Sequence, residues 1–228
     1  MGAKARPDRR HEARLRRGRL LWDVASLTYY GIVDRLCAPL RELAVRRLDL
    51  RDGQAVLDIG CGSGATLASL RAAVGERGRV VGVDYSPRMV ARARRLVRER
   101  GWTNVEVRQA DASRTAHGVG EFDAVVALAA FSAMPDVRTA VGHARDALRP
   151  GGKLFVYDLR PVGKRLTARV FRRVYAALAG FTGADVLAEL GRAFPMLEPI
   201  FTPGPKQSTI TLVLATKTQA EAGTTARA

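Results

Sequence analysis

From Asp52 onward, short apolar runs closed by glycine or an acid alternate with longer segments of helical spacing. "QAVLDIG" is a compact apolar run ended by glycine and predicts a buried strand. "ATLASLRAAVG" predicts a helix that stops at Gly75, and "GRVVGVDY" a second strand. Ser86 and Pro87 then supply an N-cap and a first-turn proline for the helix "RMVARARRLVRERG". "NVEVRQAD" alternates as a third strand and "EFDAVVALAAF" reads as a fourth. "DVRTAVGHARDALR" is helical, and "GGKLFVYDL" is a fifth strand. Strands separated by helices need crossover connections, so these should form a parallel sheet with helices on both faces. The pattern then changes. "GADVLAELGRAF" predicts a helix, and "MLEPIFTPGPKQSTITLVLATKT" holds two strand-like runs around a Pro/Gly turn, expected to be a hairpin that adds antiparallel strands at the sheet edge.

Ahead of the alternation, "LLWDVASLTYYGIVDRLCAPLRELAVRRLDL" reads as helical, with Pro39 opening a second helix. The first residues, "MGAKARPDRRHEARLRRGR", are basic and lack the apolar core of a signal peptide, so a loose arm is expected. At 228 residues and 47% hydrophobic content the chain can build one domain with a real core. No apolar run reaches the length of a membrane span. The two cysteines, Cys37 and Cys61, make neither a disulfide framework nor a metal-type spacing, which fits a reducing cytoplasm. The formal net charge of +16 suggests an anionic partner such as nucleic acid or a membrane surface, or else an arginine-biased composition.

The chemistry concentrates in "VLDIGCGSG". Gly60, Gly62 and Ala65 fit the dinucleotide fingerprint, in which glycines bring backbone close to a pyrophosphate at a helix N-terminus. Asp58 would repel a pyrophosphate there and attract a ligand carrying an ammonium group. S-adenosylmethionine is such a ligand: it has an amino-acid end, a sulfonium, a ribose and an adenine, and no phosphate. Asp84, at the end of the second strand, can accept both ribose hydroxyls. Asp111, at the end of the third, can accept from the adenine amino group, with the Ala112 N–H near a ring nitrogen. Turns alone do not readily explain acids closing three consecutive strands.

These residues, with "VVGVDYS", "QADA", "FDAVVALAAFSAMPD" and "ALRPGGKLFVYDL", resemble the class I S-adenosylmethionine-dependent methyltransferases over Leu21 to Lys217. Within that family the chain is similar to the ubiquinone/menaquinone methyltransferases and bacterial phospholipid N-methyltransferases. Their opening pattern stands here as "WDVASLTYY", which puts Tyr29 at the tyrosine that helps close the site over the methionine part of the cofactor. Tyr30 replaces the usual acid. The resemblance implies a Rossmann-like, doubly wound α/β fold with a seven-stranded sheet, mostly parallel with a C-terminal antiparallel strand. It implies cofactor contacts at Tyr29, Asp58, Gly60, Cys61, Gly62, Gly64, Asp84, Tyr85, Asp111, Ala112 and Ala127. The expected organisation is an arm (1–20), one methyltransferase domain (21–217) and a loose tail (218–228). Within the domain, 21–51 would be a helical lid, 52–159 the cofactor-binding core, and 160–217 the substrate-side helices and last strands.

Methyl transfer from a sulfonium needs alignment above all, and a base only if the nucleophile is protonated. No catalytic base is assigned and no metal is expected. His11 lies in the arm, and His117 and His143 read as structural or surface residues. Ser132 and Ala133 stand where relatives often carry a substrate-side histidine or tryptophan. "GKRLTARVFRRVYAALAGF" places Arg165, Arg169, Arg172 and Arg173 opposite an apolar stripe, as in helices that lie on membranes or cover a cleft. The expected acceptor is a small molecule or a lipid-like one, such as a quinone, phospholipid or secondary metabolite. The location would be cytoplasmic, with the inner membrane face as a possible surface. RNA is the lesser alternative, since no base-amino methylation motif or RNA-binding module accompanies the charge. A nicotinamide oxidoreductase is opposed by Asp58, and a non-catalytic cofactor-binding module remains a further alternative.

Overall fold

The computed structural model describes residue 13 and residues 37–159, 184–201 and 210–218. The sequence-predicted first helix with Tyr29 and Tyr30, the cationic helix carrying Arg165 to Arg173, and the Pro/Gly turn lie outside them. So do nearly all of the arm and the tail.

The sheet is built outward from β1 (Ala55–Ile59), whose five side chains are all buried. β2 (Arg79–Asp84) and then β3 (Val105–Gln109) lie parallel on one side of it. β4 (Phe122–Leu128) and then β5 (Leu148–Leu159) lie parallel on the other. β6 (Met196–Phe201) and β7 (Ile210–Thr216) form the expected antiparallel pair. The order is β3-β2-β1-β4-β5-β7-β6. β7, the later strand, pairs with β5, and β6 takes the edge. Pro199 explains that choice, because proline cannot donate to a second neighbour; the register shifts beside it. β5 begins earlier than "GGKLFVYDL" suggests. Leu148 already pairs with Phe122, and the register then shifts so that Lys153 pairs with Ala124.

Helices cover both faces, as crossover connections require. α1 (Ala38–Leu48), α2 (Ala65–Val74) and α3 (Pro87–Glu99) pack on one face through Ala44, Leu67, Leu70, Val90 and Ala93. α4 (Val137–Ala147) and α5 (Val186–Ala193) pack on the other through Val141, Ala144, Val186 and Leu190. α1 lies against α2 and β5, so this part of the 21–51 segment belongs to the helical layer. Pro39 stands in the first turn of α1, and the Ser86 hydroxyl caps α3 by accepting from the Met89 N–H at 3.3 Å. Strand order reverses between β1 and β4, which opens a crevice at their carboxyl ends.

Asp136 caps α4, accepting from the Thr139 N–H at 3.0 Å and the Thr139 hydroxyl at 2.7 Å. Asp136→Ala should cost about 1 kcal/mol, roughly 2–4 °C in thermal midpoint, while Asp136→Asn should keep most of it. Thermal unfolding followed by circular dichroism checks this.

Candidate functional site

β1 delivers Asp58 one residue before its end, where side chains alternate away from Leu57 and Ile59. Its carboxylate is therefore 1% exposed and not at an open rim. Asp58 Oδ2 has no hydrogen-bond partner. Burial, and then the charge of Asp84, pushes its pKa up to about 7. Such a group favours a cation placed beside it and disfavours a second anion.

The glycine turn after β1 bends through positive φ at Gly60 (74°), Gly62 (55°) and Gly64 (91°). A Cβ on Gly60 would lie 2.6 Å from the Ala130 Cβ, so this glycine lets the turn close against the loop after β4. A Cβ on Gly64 would lie 3.2 Å from the Ala93 Cβ, which brings α2 and α3 together. The turn's N–H groups are largely used inside the protein. Gly60 and Cys61 donate to the Val83 carbonyl at 2.8 and 3.1 Å. The Gly62 N–H donates to Asp84 Oδ2 at 2.9 Å. The Gly60 and Gly62 N–H groups are thus already engaged within the protein. Cys61 is buried, and burial followed by the Asp58 and Asp84 charges pushes its thiol well up, so it stays a neutral packing group.

Asp84 closes β2 and is the hub of the edge. Besides Gly62 it accepts from the Ser86 N–H at 2.8 Å, and its carbonyl accepts from the Ala110 N–H at 3.0 Å. Asp111 lies two residues past β3 and accepts from the Ser113 N–H at 2.9 Å and the Ser113 hydroxyl at 2.6 Å. Both acids are therefore Asx-turn anchors as well as candidate ligand contacts, and a carboxylate has lone pairs for both. The signal was present in the sequence as a repeated Asp-x-Ser, "DYS" and "DAS". Tyr85 is half-buried beside Asp84, and Ala112 is buried. Ala127 points into the core with Ile59 and Val156, so only its backbone is near the crevice.

Two further features stand out: His117, read from the sequence as structural or surface, and Asp158, which sequence reasoning passed over. His117 is 4% exposed, and burial, then His143 and Arg108, depress its pKa to about 4. Asp158 at the end of β5 is fully buried and accepts from the Ser132 N–H at 3.0 Å, which fixes the turn after β4. A cavity of ≈ 210 Å³ lined by Asp49, Arg51, Gln54, Asp123 and Lys153 lies at the amino ends of β1, β4 and β5, the opposite edge from these acids. Among the described residues no helix is long and apolar enough to cross a membrane.

The open α/β sheet thus carries Asp58, Asp84 and Asp111 at or just past the carboxyl ends of its first three strands, one of them buried with an orphan oxygen. A family described as "Methyltransferase domain" matches residues 56–152. The aklanonic acid methyltransferase DauC of a Streptomyces species is 31% identical over 80% of this chain and 70% of its own. A demethylmenaquinone methyltransferase of Thermus thermophilus is 33% identical over 71% of this chain and 75% of its own. The phosphoethanolamine N-methyltransferase 2 of Haemonchus contortus, solved with S-adenosyl-L-methionine, shares the fold, with a TM-score of 0.67 at 16% identity over 87% of this chain and 60% of its own. The chain belongs to the S-adenosylmethionine-dependent methyltransferases. It spans only 30%, 42% and 59% of three other curated relatives.

Asp58 and His117 tie stability to pH in opposite senses. The raised Asp58 pKa gives stability that is full below about pH 4 and is lost as pH rises through about 7. The depressed His117 pKa gives stability that is full above about pH 6.5 and is lost as pH falls toward about 4. The two partly cancel between pH 4 and 6.5. Relative to the wild type, Asp58→Asn should gain stability as pH rises through this window, and His117→Phe should gain as pH falls. Thermal midpoints of the three proteins across pH 4–8 check both signs.

Proposed function

We propose that this chain transfers a methyl group from S-adenosylmethionine to a small-molecule acceptor of the polyketide or quinone kind. The observation that carries the reading is the unpartnered oxygen of buried Asp58 beside the glycine turn. A pyrophosphate ligand would be repelled there, whereas an ammonium group would be held. The residues present fit the cofactor. When bound, it supplies an electrophilic methyl on a sulfonium.

Asp58 takes the ammonium end, and the glycine turn offers its Cα surface to the amino-acid part. Asp84, already set by Gly62 and Ser86, accepts from the ribose hydroxyls, and Tyr85 walls the ribose. Asp111 accepts from the adenine amino group, and the Ala112 N–H meets a ring nitrogen. Gly60, Cys61, Gly62, Gly64 and the Ala127 backbone shape the floor of the site, and Tyr29 closes it over the methionine part. Positioning in a site closed from water supplies most of the acceleration, so no base is assigned. The relatives support a small-molecule acceptor, since they include an aklanonic acid methyltransferase and a demethylmenaquinone methyltransferase. Arm, domain and tail are proposed at the boundaries 20/21 and 217/218.

A second reading places the acceptor in a lipid surface on the inner, cytoplasmic face. It is supported by the +16 charge and the arginine-bearing amphipathic sequence 163–181. Salt-sensitive co-sedimentation with anionic vesicles, lost when Arg165, Arg169, Arg172 and Arg173 become Gln, is its expected result. Binding to no vesicle at low salt leaves the soluble-acceptor reading.

Asp84→Ala should weaken S-adenosylmethionine binding about tenfold or more, as loss of a charge-assisted contact requires, without unfolding the protein. Because Asp58 titrates near pH 7, binding a cation beside it should release protons at pH 6, and affinity should rise from pH 5 to 7. Calorimetry in buffers of different ionisation enthalpy reads both; Asp58→Asn should abolish the proton release. Unchanged affinity in both variants sinks the assignment. Labelled cofactor incubated with a cell extract then identifies the fraction that takes up the methyl.

A further inference from the structure

His143 sits in the middle of α4, a helix otherwise bound to the sheet by apolar contacts through Val137, Ala140, Val141 and Ala144. It is half-buried, and its Nδ1 lies 2.9 Å from the carbonyl oxygen of Ala112. A carbonyl only accepts, so Nδ1 carries the proton and donates. That carbonyl belongs to the peptide joining Ala112 to Ser113. The N–H of the same peptide donates to Asp111 Oδ1 at 2.9 Å, and the Ser113 hydroxyl adds a second bond to the same oxygen at 2.6 Å. Both ends of one peptide are therefore held: its oxygen by a helix on the covered face of the sheet, its nitrogen by the carboxylate at the carboxyl edge. The His117 ring, almost fully buried, stands against His143 edge-on, with centroids 6.4 Å apart and planes at 84°. It walls one side of the imidazole and limits the directions in which that ring can turn.

We propose that His143 is a positioning residue for adenine recognition, acting on Asp111 through the Ala112–Ser113 peptide. The proposal rests on the reading above that Asp111 accepts from the adenine amino group. Donation to the carbonyl polarises the peptide and strengthens the bond that its N–H makes to Asp111. The carboxylate is thereby fixed in rotation, with its orientation tied to a helix and not to the loop alone. Without the imidazole, the peptide plane can rock, and Asp111 can turn with it. The consequence is specific. A fixed acceptor distinguishes a 6-amino group, which donates, from a 6-oxo group, which does not; an acceptor free to turn distinguishes them less.

The test is calorimetric binding of S-adenosylhomocysteine and of S-inosylhomocysteine, in which oxygen replaces the adenine amino group. It compares the wild type with His143→Leu and His143→Asn, each first checked for folding by thermal unfolding. Asn keeps an N–H donor near the position of Nδ1; Leu keeps bulk and no donor. The wild type should prefer the adenine ligand. His143→Leu should lose about three- to tenfold in affinity for it, as one hydrogen bond implies, with little change for the hypoxanthine ligand. His143→Asn should recover most of the preference. Equal loss for both ligands in the Leu variant, or an Asn variant no better than Leu, overturns the proposal, because a purely structural role moves both ligands alike. Should the Leu variant not fold, His143→Gln replaces it: its donor reaches the position of Nε2, so it should lose the preference that Asn keeps. A wild type that binds both ligands equally overturns the proposal and leaves the cofactor reading standing. A wild type that binds neither overturns both.

Discussion

Asp58 and Asp84 are held close together beneath one glycine turn, and each raises the cost of charge on the other. This forced proximity of two acids is the constraint around which the edge of the sheet is arranged. Asp84 resolves its share by accepting N–H groups from Gly62 and Ser86. Asp58 has no such relief for Oδ2, and the sheet keeps water from it. Hydrogen bonding steadies the first acid, while burial and the neighbouring charge push the pKa of the second up to about 7.

The rest of the edge follows from keeping that pair in place. The turn must pass over Asp84, which requires positive φ at Gly60 and Gly62, and it must lie flat against Ala130, which leaves no room for a side chain at Gly60. Gly82 in β2 gives space to Cys61, so the thiol fills the gap beneath the turn as a neutral group. On the next strand, Ala110 is tied to the Asp84 carbonyl, and Asp111 is set by Ser113. Each strand end is thus fixed by its neighbour, and the order of fixation runs outward from β1. Asp158 does the same on the other side of the crevice by holding the turn at Ser132.

Much of this was legible in the linear pattern. Five apolar runs spaced by helices imply a parallel sheet, and a Pro/Gly turn between the last two runs implies a hairpin. The acids at 58, 84 and 111 and the glycines at 60, 62 and 64 pointed to an ammonium-bearing ligand, and the family to which the chain belongs uses such a cofactor. The Asp-x-Ser repeats were equally visible, but turn anchoring was weighed only as an alternative to ligand contact, whereas Asp84 and Asp111 do anchor turns. Ala127 shows the converse. The resemblance implied it as a cofactor contact, whereas its position within β4 turns the side chain into the core.

Local chemistry foretold the described strands and helices and the parallel sheet, because helix spacing, caps and glycine turns act within a few residues of themselves. Only the folded chain settled which acid is buried and which is bonded, since that depends on strands far apart in sequence. Asp58 owes its raised pKa to a central strand covered on both faces and to Asp84, 26 residues away in the chain. His117 and His143, unremarkable in the sequence, meet because α4 crosses back beneath the loop after β3. Burial, pairing and the sharing of one peptide by two side chains are properties of contacts that arise only when distant segments are packed against each other.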